Sequence, residues 1–483
     1  MMLKTILILC FLNVLCVQSA KILGVFPIPS ISHQVVFRKL TQELAKRGHN
    51  LTVITTDPAY PKGAAPENYK EIDVRNTSYQ ILQKAFQANY KVDQDVPSIS
   101  ELQRLSSVTL SILEAQLQTA EVQELLSKDK DNFDLIFVEA IMLPAVAFSH
   151  KFNAPVILVS SLGGYFYNHD IVGSLSHPFL YPSFMLRRIY NLSIWEKIVH
   201  LYYEFCYKYV TYTSEDNENK MLQKYFGPDI PPLSELYDNI QMLFINLNPI
   251  WADNQPVPPS VVYMGGIHQL PEKELPKNLK TYLDSSEKGV IYLSFGTNIL
   301  PEMLPSDKLE IMVKVLSNLP YDVLWKWNDD ELPGKADNIK ISKWYPQSDL
   351  LRHPKIKLFI TQAGLQSTDE AISAGVPLVA VPMLGDQWYR ENIMQLRKLM
   401  RDQPESPLDR ALWWSEYVIR NKGAKQLRAR GANISYFEYL EVELVLIILI
   451  VVLLAVALSI AIISYICRFI LSLLKNKNKI KLN

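Results

Sequence analysis

Two short glycine-containing turns, each directly after an apolar run, are the segments of this chain best suited to hold a phosphate. The first is Ser294-Phe295-Gly296-Thr297, at the end of "GVIYLSFGT", and the second is Thr361-Gln362-Ala363-Gly364, which follows "KLFI" and opens a helical pattern. A turn from strand to helix directs free backbone N–H groups and the positive helix end at one place, where anions bind. Either turn is a weak signal alone. Together, at one end of a parallel sheet, they would suit a diphosphate.

A histidine and a glutamate are the candidates for acid–base chemistry. His33 lies where the strand pattern "KILGVFP" gives way to a helical pattern, and Glu139 lies near the end of "FDLIFVEA". A histidine can take a proton from a hydroxyl near neutral pH, and it needs a partner that orients its ring. We therefore predict a catalytic pair, with both residues at strand carboxyl ends of one sheet. The alternative is that His33 is only a polar residue at a helix N-terminus.

The elements that must position these residues form two series of apolar strands that alternate with helical patterns. Continuous apolar strands in such a series indicate parallel sheets covered on both faces. The proline-rich segment 248–266 separates the two series. We predict an α/β fold with two doubly wound domains, 21–265 and 266–435, and a cleft at the carboxyl ends of their strands.

The two ends of the chain predict a membrane protein. Residues 1–20 have the pattern of a secretory signal peptide, and residues 444–467 form an uncharged apolar run long enough to cross a bilayer. The tail 468–483 is basic, which predicts a cytosolic tail and a lumenal body. Lys479 and Lys481 resemble a dilysine retrieval signal of the endoplasmic reticulum, although a basic stop-transfer tail would look the same. The sequons lie on the lumenal side, at Asn50, Asn76, Asn191 and Asn433.

Composition narrows the class of protein further. The 49 basic and 49 acidic residues balance, so nothing indicates a nucleic-acid partner. Of four cysteines, only Cys206 lies in the predicted body, so the fold must depend on a packed core. The aromatic-rich segment 175–212 fits an apolar acceptor pocket, a membrane-surface segment or ordinary core helices.

The segment "WYPQSDLLRHPKIKLFITQAGLQSTDEAISAGVPLVAVPMLGDQ" (344–387) resembles the signature of the UDP-glycosyltransferase family. That signature has a Trp and a Pro-Gln before a strand, then Thr-His-Gly-Gly, a Glu, and a Pro-rich strand ending in Asp-Gln. The likeness covers nearly the whole chain, including "YMGGIH" and "SFGT", and the C-terminal part looks like the membrane-anchored animal branch, the UDP-glucuronosyltransferases. It implies a GT-B fold of two Rossmann-like domains.

The resemblance also implies roles for individual residues. It implies that Trp344 stacks on uracil, that Gln347 hydrogen-bonds the uracil or its ribose, and that Glu370 accepts from ribose hydroxyls. It implies a diphosphate site at Gln362, Gly364, Gln366 and Ser367, helped by Ser294, Gly296 and Thr297, and a sugar site at Asp386 and Gln387. Simpler readings exist for some of them: Ser367 and Glu370 fit a helix capping box, Trp344 fits a core position and Asp386 fits an N-cap.

The reaction implied is transfer of glucose or glucuronate from a UDP-sugar to a hydroxyl of a small lipophilic acceptor, with inversion and with His33 as base. The UDP-sugar is a co-substrate, and we expect no metal or other cofactor. Partners would be the membrane and, in a homo- or hetero-oligomer, other family members.

The sequence departs from the family pattern in two places. The family's His-Gly-Gly is replaced by Gln362-Ala363-Gly364, and the Asn and Gly after it by Gln366 and Ser367. Further on, "GDQWY" runs directly into "RENIM", so a βαβ unit of about 30 to 45 residues is missing between Tyr389 and Arg390. Besides an active transferase, an inactive relative that regulates family members and a nucleotide-sugar or lipid binding protein therefore remain open.

Overall fold

The computed structural model describes residues 19–89, 98–127, 133–174, 177–181, 192–252, 254–269, 271–297, 304–381 and 399–480. Its contacts divide the chain into two compact units, Met1–Arg430 and Gly431–Asn483. The first unit holds two parallel sheets with their helices. The second holds the apolar C-terminal helix.

The first sheet has seven parallel strands in the order β3-β2-β1-β4-β5-β6-β7. The strands are β1 (Lys21–Phe26), β2 (Asn50–Thr55), β3 (Tyr69–Asp73), β4 (Leu135–Glu139), β5 (Val156–Ser160), β6 (Ile240–Ile245) and β7 (Val261–Tyr263). The α-helices of this part are α1 (Ile31–Lys46), α2 (Arg75–Asn89), α3 (Ile99–Leu117), α4 (Ala120–Ser127), α5 (Ala147–Phe152), α6 (Phe166–Val172), α7 (Ile194–Phe226) and α8 (Leu233–Leu236).

Helices cover both faces of this sheet because its central strands are apolar except at their ends. β4 and β5 are buried along their whole length. On one face Val25 and Ile136 pack in a core with Leu113 of α3, and on the other Phe26 stacks on Phe37 of α1 with ring centroids 4.2 Å apart. A parallel sheet needs such cover on both sides, since each strand carries apolar side chains in both directions.

The second sheet has five parallel strands among the described residues, in the order β10-β9-β8-β11-β12. They are β8 (Val290–Ser294), β9 (Asp322–Lys326), β10 (Ile339–Ser342), β11 (Ile356–Thr361) and β12 (Leu378–Ala380). The α-helices here are α9 (Lys277–Ser285), α10 (Ser306–Ser317), α11 (Gln347–Leu351) and α12 (Leu365–Ala374). Two separate apolar cores, one around Tyr292 and Phe359 and one around Leu293 and Trp325, lie on its faces.

After the second sheet the chain returns to the first. Helix α13 (Pro407–Arg420) buries Ala411, Leu412 and Val418 in the core that also holds Phe37. Its outer edge is joined to α1 by an ion pair between Arg47 Nη1 and Glu416 Oε1 at 3.1 Å. The predicted second domain, 266–435, thus includes a helix that packs on the first sheet.

The second unit consists of α14 (Tyr436–Tyr439) and α15 (Val442–Ile480). The part of α15 from Val442 to Phe469 is long and apolar enough to cross a membrane, judged by length and composition. It contains the predicted span 444–467.

The two doubly wound domains expected from the sequence are confirmed. Strands β3, β6 and β7 were not predicted, and β7 lies inside the proline-rich segment taken for a linker. The predicted signal peptide up to residue 18, Asn191, the sugar-site residues Asp386 and Gln387, and the Tyr389–Arg390 junction lie outside the described residues.

Candidate active site

The His33–Glu139 pair lies at the point where the first sheet reverses its winding. β1 is paired with β2 on one side and β4 on the other, so the chain leaves the carboxyl ends of β1 and β4 in opposite directions. Such switch points open a crevice in which α/β proteins bind ligands. His33 is in the first turn of α1 and Glu139 is the last residue of β4.

The two side chains form the predicted contact. His33 Nδ1 lies 2.6 Å from Glu139 Oε1, and Glu139 Oε2 accepts a hydrogen bond from the backbone N–H of Ile28 at 3.0 Å. The Glu139 side chain is only 2% exposed. An ionised carboxylate can only accept, so the proton of a neutral His33 lies on Nδ1 and the lone pair of Nε2 is left for a substrate hydroxyl.

The turn that carries His33 is fixed by Gln34. Its amide nitrogen donates to the carbonyls of Phe26 at 3.1 Å and Ile28 at 3.2 Å, while its oxygen accepts from Thr55 Oγ1 at 2.8 Å. Gln34 is buried, so these bonds replace its lost hydration. The segment between β1 and α1 is therefore tied to both neighbouring strand ends.

The two phosphate-type turns are neighbours in the second sheet. β8 and β11 are paired, with Ser294 opposite Thr361, and the turns follow directly. Gly296 has φ +76°, and a Cβ on it would lie 2.8 Å from the amide nitrogen of Gln362. The Gln362 side chain thus lies against the first turn. Its closeness to Gly296 and the positive φ of Gly296 together favour glycine at position 296.

Ala363 has an unusual backbone. Its φ is +60°, in the left-handed region, and the residue is 4% exposed. A Cβ in this region clashes with the backbone, at a cost of roughly 1–2 kcal/mol relative to the right-handed form. The structure therefore shows strain where the family pattern has glycine.

Helix α12 begins at this turn with Gly364 as N-cap and no side-chain cap. The capping box considered for Ser367 and Glu370 does not form at this end. The Gln366 amide nitrogen donates to the carbonyl of Ser32 in the first turn of α1. It therefore joins the first turn of α12 to the turn that carries His33, and its predicted contact with the diphosphate stays a prediction.

The residues assigned to ribose and uracil form one network. Gln347 Nε2 donates to Ser367 Oγ at 3.0 Å and to Glu370 Oε2 at 2.7 Å, and Gln347 Oε1 accepts from the Tyr292 hydroxyl at 3.1 Å. Burial raises the pKa of Glu370, an effect opposed by the Gln347 hydrogen bond. With its amide engaged in this way, Gln347 orients Glu370.

Trp344 is 63% exposed, so the alternative that it is a core residue is wrong. It lies three residues before Gln347 in the chain, and an exposed indole can serve as a stacking platform.

The chain matches the family described as "UDP-glucoronosyl and UDP-glucosyl transferase" over residues 20–389 and 387–478. The chain belongs to this family. It is a glycosyltransferase, and the resemblance noted in the sequence is confirmed.

Two relatives illustrate where this glycosyltransferase lies in the family. It is 33% identical to the ecdysteroid UDP-glucosyltransferase of Lymantria dispar multicapsid nuclear polyhedrosis virus over 475 aligned positions, which cover 89% of this chain and 93% of the viral protein. It is 30% identical to UDP-glucosyltransferase 2 of Dactylopius coccus over 511 positions, covering 96% of each chain.

Among solved structures, a UDP-glucosyltransferase from Polygonum tinctorium, in complex with 3,4-dichloroaniline, is similar in fold. The two share 14% sequence identity with a TM-score of 0.50, and the match covers 84% of this chain and 99% of the plant chain. This likeness shows the fold alone, which is GT-B.

Sequence reasoning missed a basic group beside the first phosphate-type turn. Lys326 is the last residue of β9, next to β8, and its Nζ donates to the Gly296 carbonyl at 2.8 Å and to Asn328 Oδ1 at 3.3 Å. Burial lowers the pKa of Lys326. Its place at a strand carboxyl end, in "DVLWKW", was the signal that could have identified it.

A buried carboxyl on α12 was also missed. Asp369 is 2% exposed, and burial raises its pKa to about 7. It faces the Trp251 indole of the segment between the domains, and its backbone carbonyl accepts from Gln269 Nε2 at 3.3 Å. Asp369 therefore belongs to the contact of α12 with Trp251 and Gln269.

Whether the reaction needs a metal stays a prediction. The sequence does contain Asp-x-Asp spacings at 93–95 and 129–131, which lie outside the described residues.

Proposed function

We propose that this glycosyltransferase moves glucose from UDP-glucose to a hydroxyl of a lipophilic, sterol-like acceptor, with inversion at the anomeric carbon. The observation that carries the proposal is the 2.6 Å contact between His33 and Glu139. It lies at the switch point of the first sheet and is joined through Ser32 and Gln366 to the phosphate-type turns of the second.

His33 acts as general base in this mechanism. Its Nε2 takes the proton of the acceptor hydroxyl while that oxygen attacks the anomeric carbon, and the bond to the UDP oxygen breaks with its electron pair. Glu139 holds the ring and stabilises the imidazolium that forms. A single displacement from the side opposite UDP inverts the configuration.

The departing diphosphate is stabilised from the second domain. The uncapped N-terminus of α12 and the turns at Gly296 and Gly364 offer backbone N–H groups, and Lys326 offers a positive charge beside Gly296. Such fixed dipoles and charges stabilise a leaving group without a metal ion. We accordingly expect the reaction to proceed without added metal.

Glucose is favoured over glucuronate as the donor sugar. Both relatives described above are named UDP-glucosyltransferases. A glucuronate carboxylate would need a basic partner of its own, and Lys326, the basic group identified here, is assigned to the diphosphate beside Gly296.

A sterol-like acceptor fits the viral relative's name and the aromatic side chains near the catalytic pair. Tyr165 stacks on Tyr167 at 5.4 Å between ring centroids, and Tyr167 stacks on Tyr207 at 5.7 Å. Burial and then the charge of Glu139 raise the pKa of Tyr165, which places this neutral ring near the base. A series of flat rings suits a flat polycyclic substrate.

The body is proposed to lie in the lumen of the endoplasmic reticulum, held by α15 as a type I anchor. The apolar stretch Val442–Phe469 and the basic tail after it support this location.

We also propose that one βαβ unit of the family is missing from this chain at Tyr389–Arg390. The family match breaks into two stretches that meet at 387–389. The alignment with the viral relative spans 475 positions, but it includes only 89% of the 483 residues of this chain, which is about 430 residues. About 45 positions of the viral relative are therefore aligned with gaps in this chain. That number is close to one βαβ unit.

The test measures UDP release from UDP-glucose and from UDP-glucuronate by membranes that carry the full chain, with a panel of sterols and phenols. We expect turnover with UDP-glucose and a sterol, and its loss in His33→Ala. His150→Ala, at an exposed histidine of α5, is the matched control and should keep activity. Absence of turnover from folded, inserted protein would overturn the proposal and favour an inactive regulatory or binding protein.

A further inference from the structure

The first half of helix α7 exposes a continuous apolar stripe. At 100° per residue, its members fall within an arc of about 120° over a length of about 27 Å. Trp195 is 71% exposed and Tyr212 80% exposed. The stripe, called the α7 stripe below, consists of Ile194, Trp195, Ile198, Leu201, Tyr202, Phe205, Tyr209 and Tyr212.

The α7 stripe is not needed to attach the helix to its own domain. The opposite face does that, with Tyr203, Cys206 and Val210 buried against Leu102 of α3. Beyond Tyr212 the exposed positions of α7 become polar, beginning with Thr213, Asp216 and Asn217. The apolar surface is therefore confined to one face of one half of the helix. A patch of this kind marks a contact with something else.

We propose that the α7 stripe lies in the membrane–water interface of the bilayer that holds α15. This rests on the proposed membrane location. The chain itself brings a bilayer within reach, because residues 431–441 separate the end of the first unit from Val442 and span at most about 40 Å. Half of the stripe is Trp or Tyr, which carry an apolar ring and a polar tip and concentrate at membrane interfaces.

The shape of the stripe suits a bilayer. It is a single ridge about 27 Å long and about 10 Å wide on one helix. A helix that lies in the interface needs only one apolar face, inserted about 5–10 Å. The α7 stripe has that extent.

This placement has a consequence for the acceptor. Tyr207, on the other side of the same helix, stacks on Tyr167 in the aromatic series near Glu139. Helix α7 therefore separates the bilayer from the proposed acceptor site by its own width. A sterol that partitions into lipid would be concentrated next to that site.

The test uses spin labels on single cysteines in the full chain, reconstituted in phosphatidylcholine vesicles. The background carries Cys10→Ser, Cys16→Ser, Cys206→Ser and Cys467→Ser. Labels replace Trp195, Phe205 and Tyr212 in turn. The matched control is Thr211→Cys, which is exposed on α7 but about 100° of helix rotation away from Tyr212. Leu453→Cys in α15 reports insertion of the anchor. Accessibility is measured to oxygen, which enters lipid, and to a water-soluble nickel chelate.

We expect the three stripe labels to be reached by oxygen at least several-fold better, relative to nickel, than the Thr211 label. Stripe labels as open to nickel as Thr211 would overturn the inference. Labels shielded from both reagents would overturn it in favour of a protein partner. A water-exposed Leu453 label would remove the membrane location itself, while the turnover experiment above would remain a valid test of the enzyme.

Discussion

Replacing Ala363 by glycine is expected to stabilise this protein, although the same change usually destabilises. Ala363 has φ +60°, a conformation that an L-residue with a Cβ adopts only at a cost of roughly 1–2 kcal/mol. Glycine adopts this conformation at little cost, but it gives the unfolded chain more conformational freedom, which lowers the free energy of unfolding by about 0.5–1 kcal/mol. We therefore expect a net increase in the free energy of unfolding of about 0.5–1 kcal/mol.

The same change is expected to act on donor binding. Ala363 lies between Gln362, whose amide lies against Gly296, and Gly364, which begins α12. A strained turn at this point resists the small backbone adjustments that a diphosphate requires. If UDP binding adds about 1 kcal/mol of strain at Ala363 and none at a glycine, the Kd for UDP falls about fivefold in the variant.

The assay is thermal unfolding of the purified full chain in detergent, with and without UDP, together with UDP binding by calorimetry. Ala374→Gly, at the last residue of α12 with ordinary helical geometry, is the matched control, and it should lower the Tm because glycine disfavours helix. If Ala363→Gly lowers the Tm as much as this control, the assignment of strain to Ala363 is wrong.

Four further changes test other parts of the site. Glu139→Gln should lower kcat by about 10²- to 10⁴-fold with little change in the donor KM, because His33 loses the charge that stabilises its imidazolium. Steady-state kinetics measures both constants, and an unchanged kcat would contradict the pairing of His33 with Glu139. Gln366→Met, which removes the amide without adding a charge, should lower kcat about tenfold through loss of the bond to Ser32, while UDP affinity stays constant. Weaker UDP binding would instead support a phosphate role. Lys326→Met should raise the donor KM about tenfold with the Tm unchanged or higher, since burial of the ammonium opposes its charge; an unchanged KM would place Lys326 outside the donor site. The stability of the unmodified chain should fall as the pH rises from about 4 to about 7, because the Asp369 carboxyl ionises in the unfolded chain but stays protonated in the folded one, where its pKa is about 7. Asp369→Asn should abolish this fall. Chemical denaturation at pH 5 and pH 8 measures it, and equal pH dependence in both proteins would refute the reasoning.

The contact between His33 and Glu139 could be predicted from the sequence because the prediction needed only the positions of the strand ends. "KILGVFP" and "FDLIFVEA" are strong apolar strands, and residues just after parallel strands must meet at one sheet edge. The pairing of β1 with β4 then placed His33 beside Glu139. Lys326 satisfied the same criterion at the end of β9, but a lysine between two tryptophans was read as part of a strand only.

Contacts between distant segments could not be predicted. The amide of Gln347 could hydrogen-bond a nucleotide base as well as it hydrogen-bonds Glu370 and Ser367. Only the packing of α11 against α12 shows that it contacts Glu370 and Ser367. The return of α13 to the first sheet depends on apolar residues such as Leu412 that would suit either domain. The short strand β7 has three residues in a proline-rich stretch, too few to show a period.

The departures of this chain from its family fall on one half of the site. On the proposed acceptor side the contacts are formed among the described residues: His33 meets Glu139, and Gln34 makes its bonds. The strained Ala363 and the junction at Tyr389–Arg390 both fall in the predicted second domain, 266–435, the proposed donor side. If this chain turns over slowly, the deficit should therefore appear as weak UDP-sugar binding, with acceptor affinity preserved. A chain that bound UDP tightly and sterols poorly would contradict this division of the site.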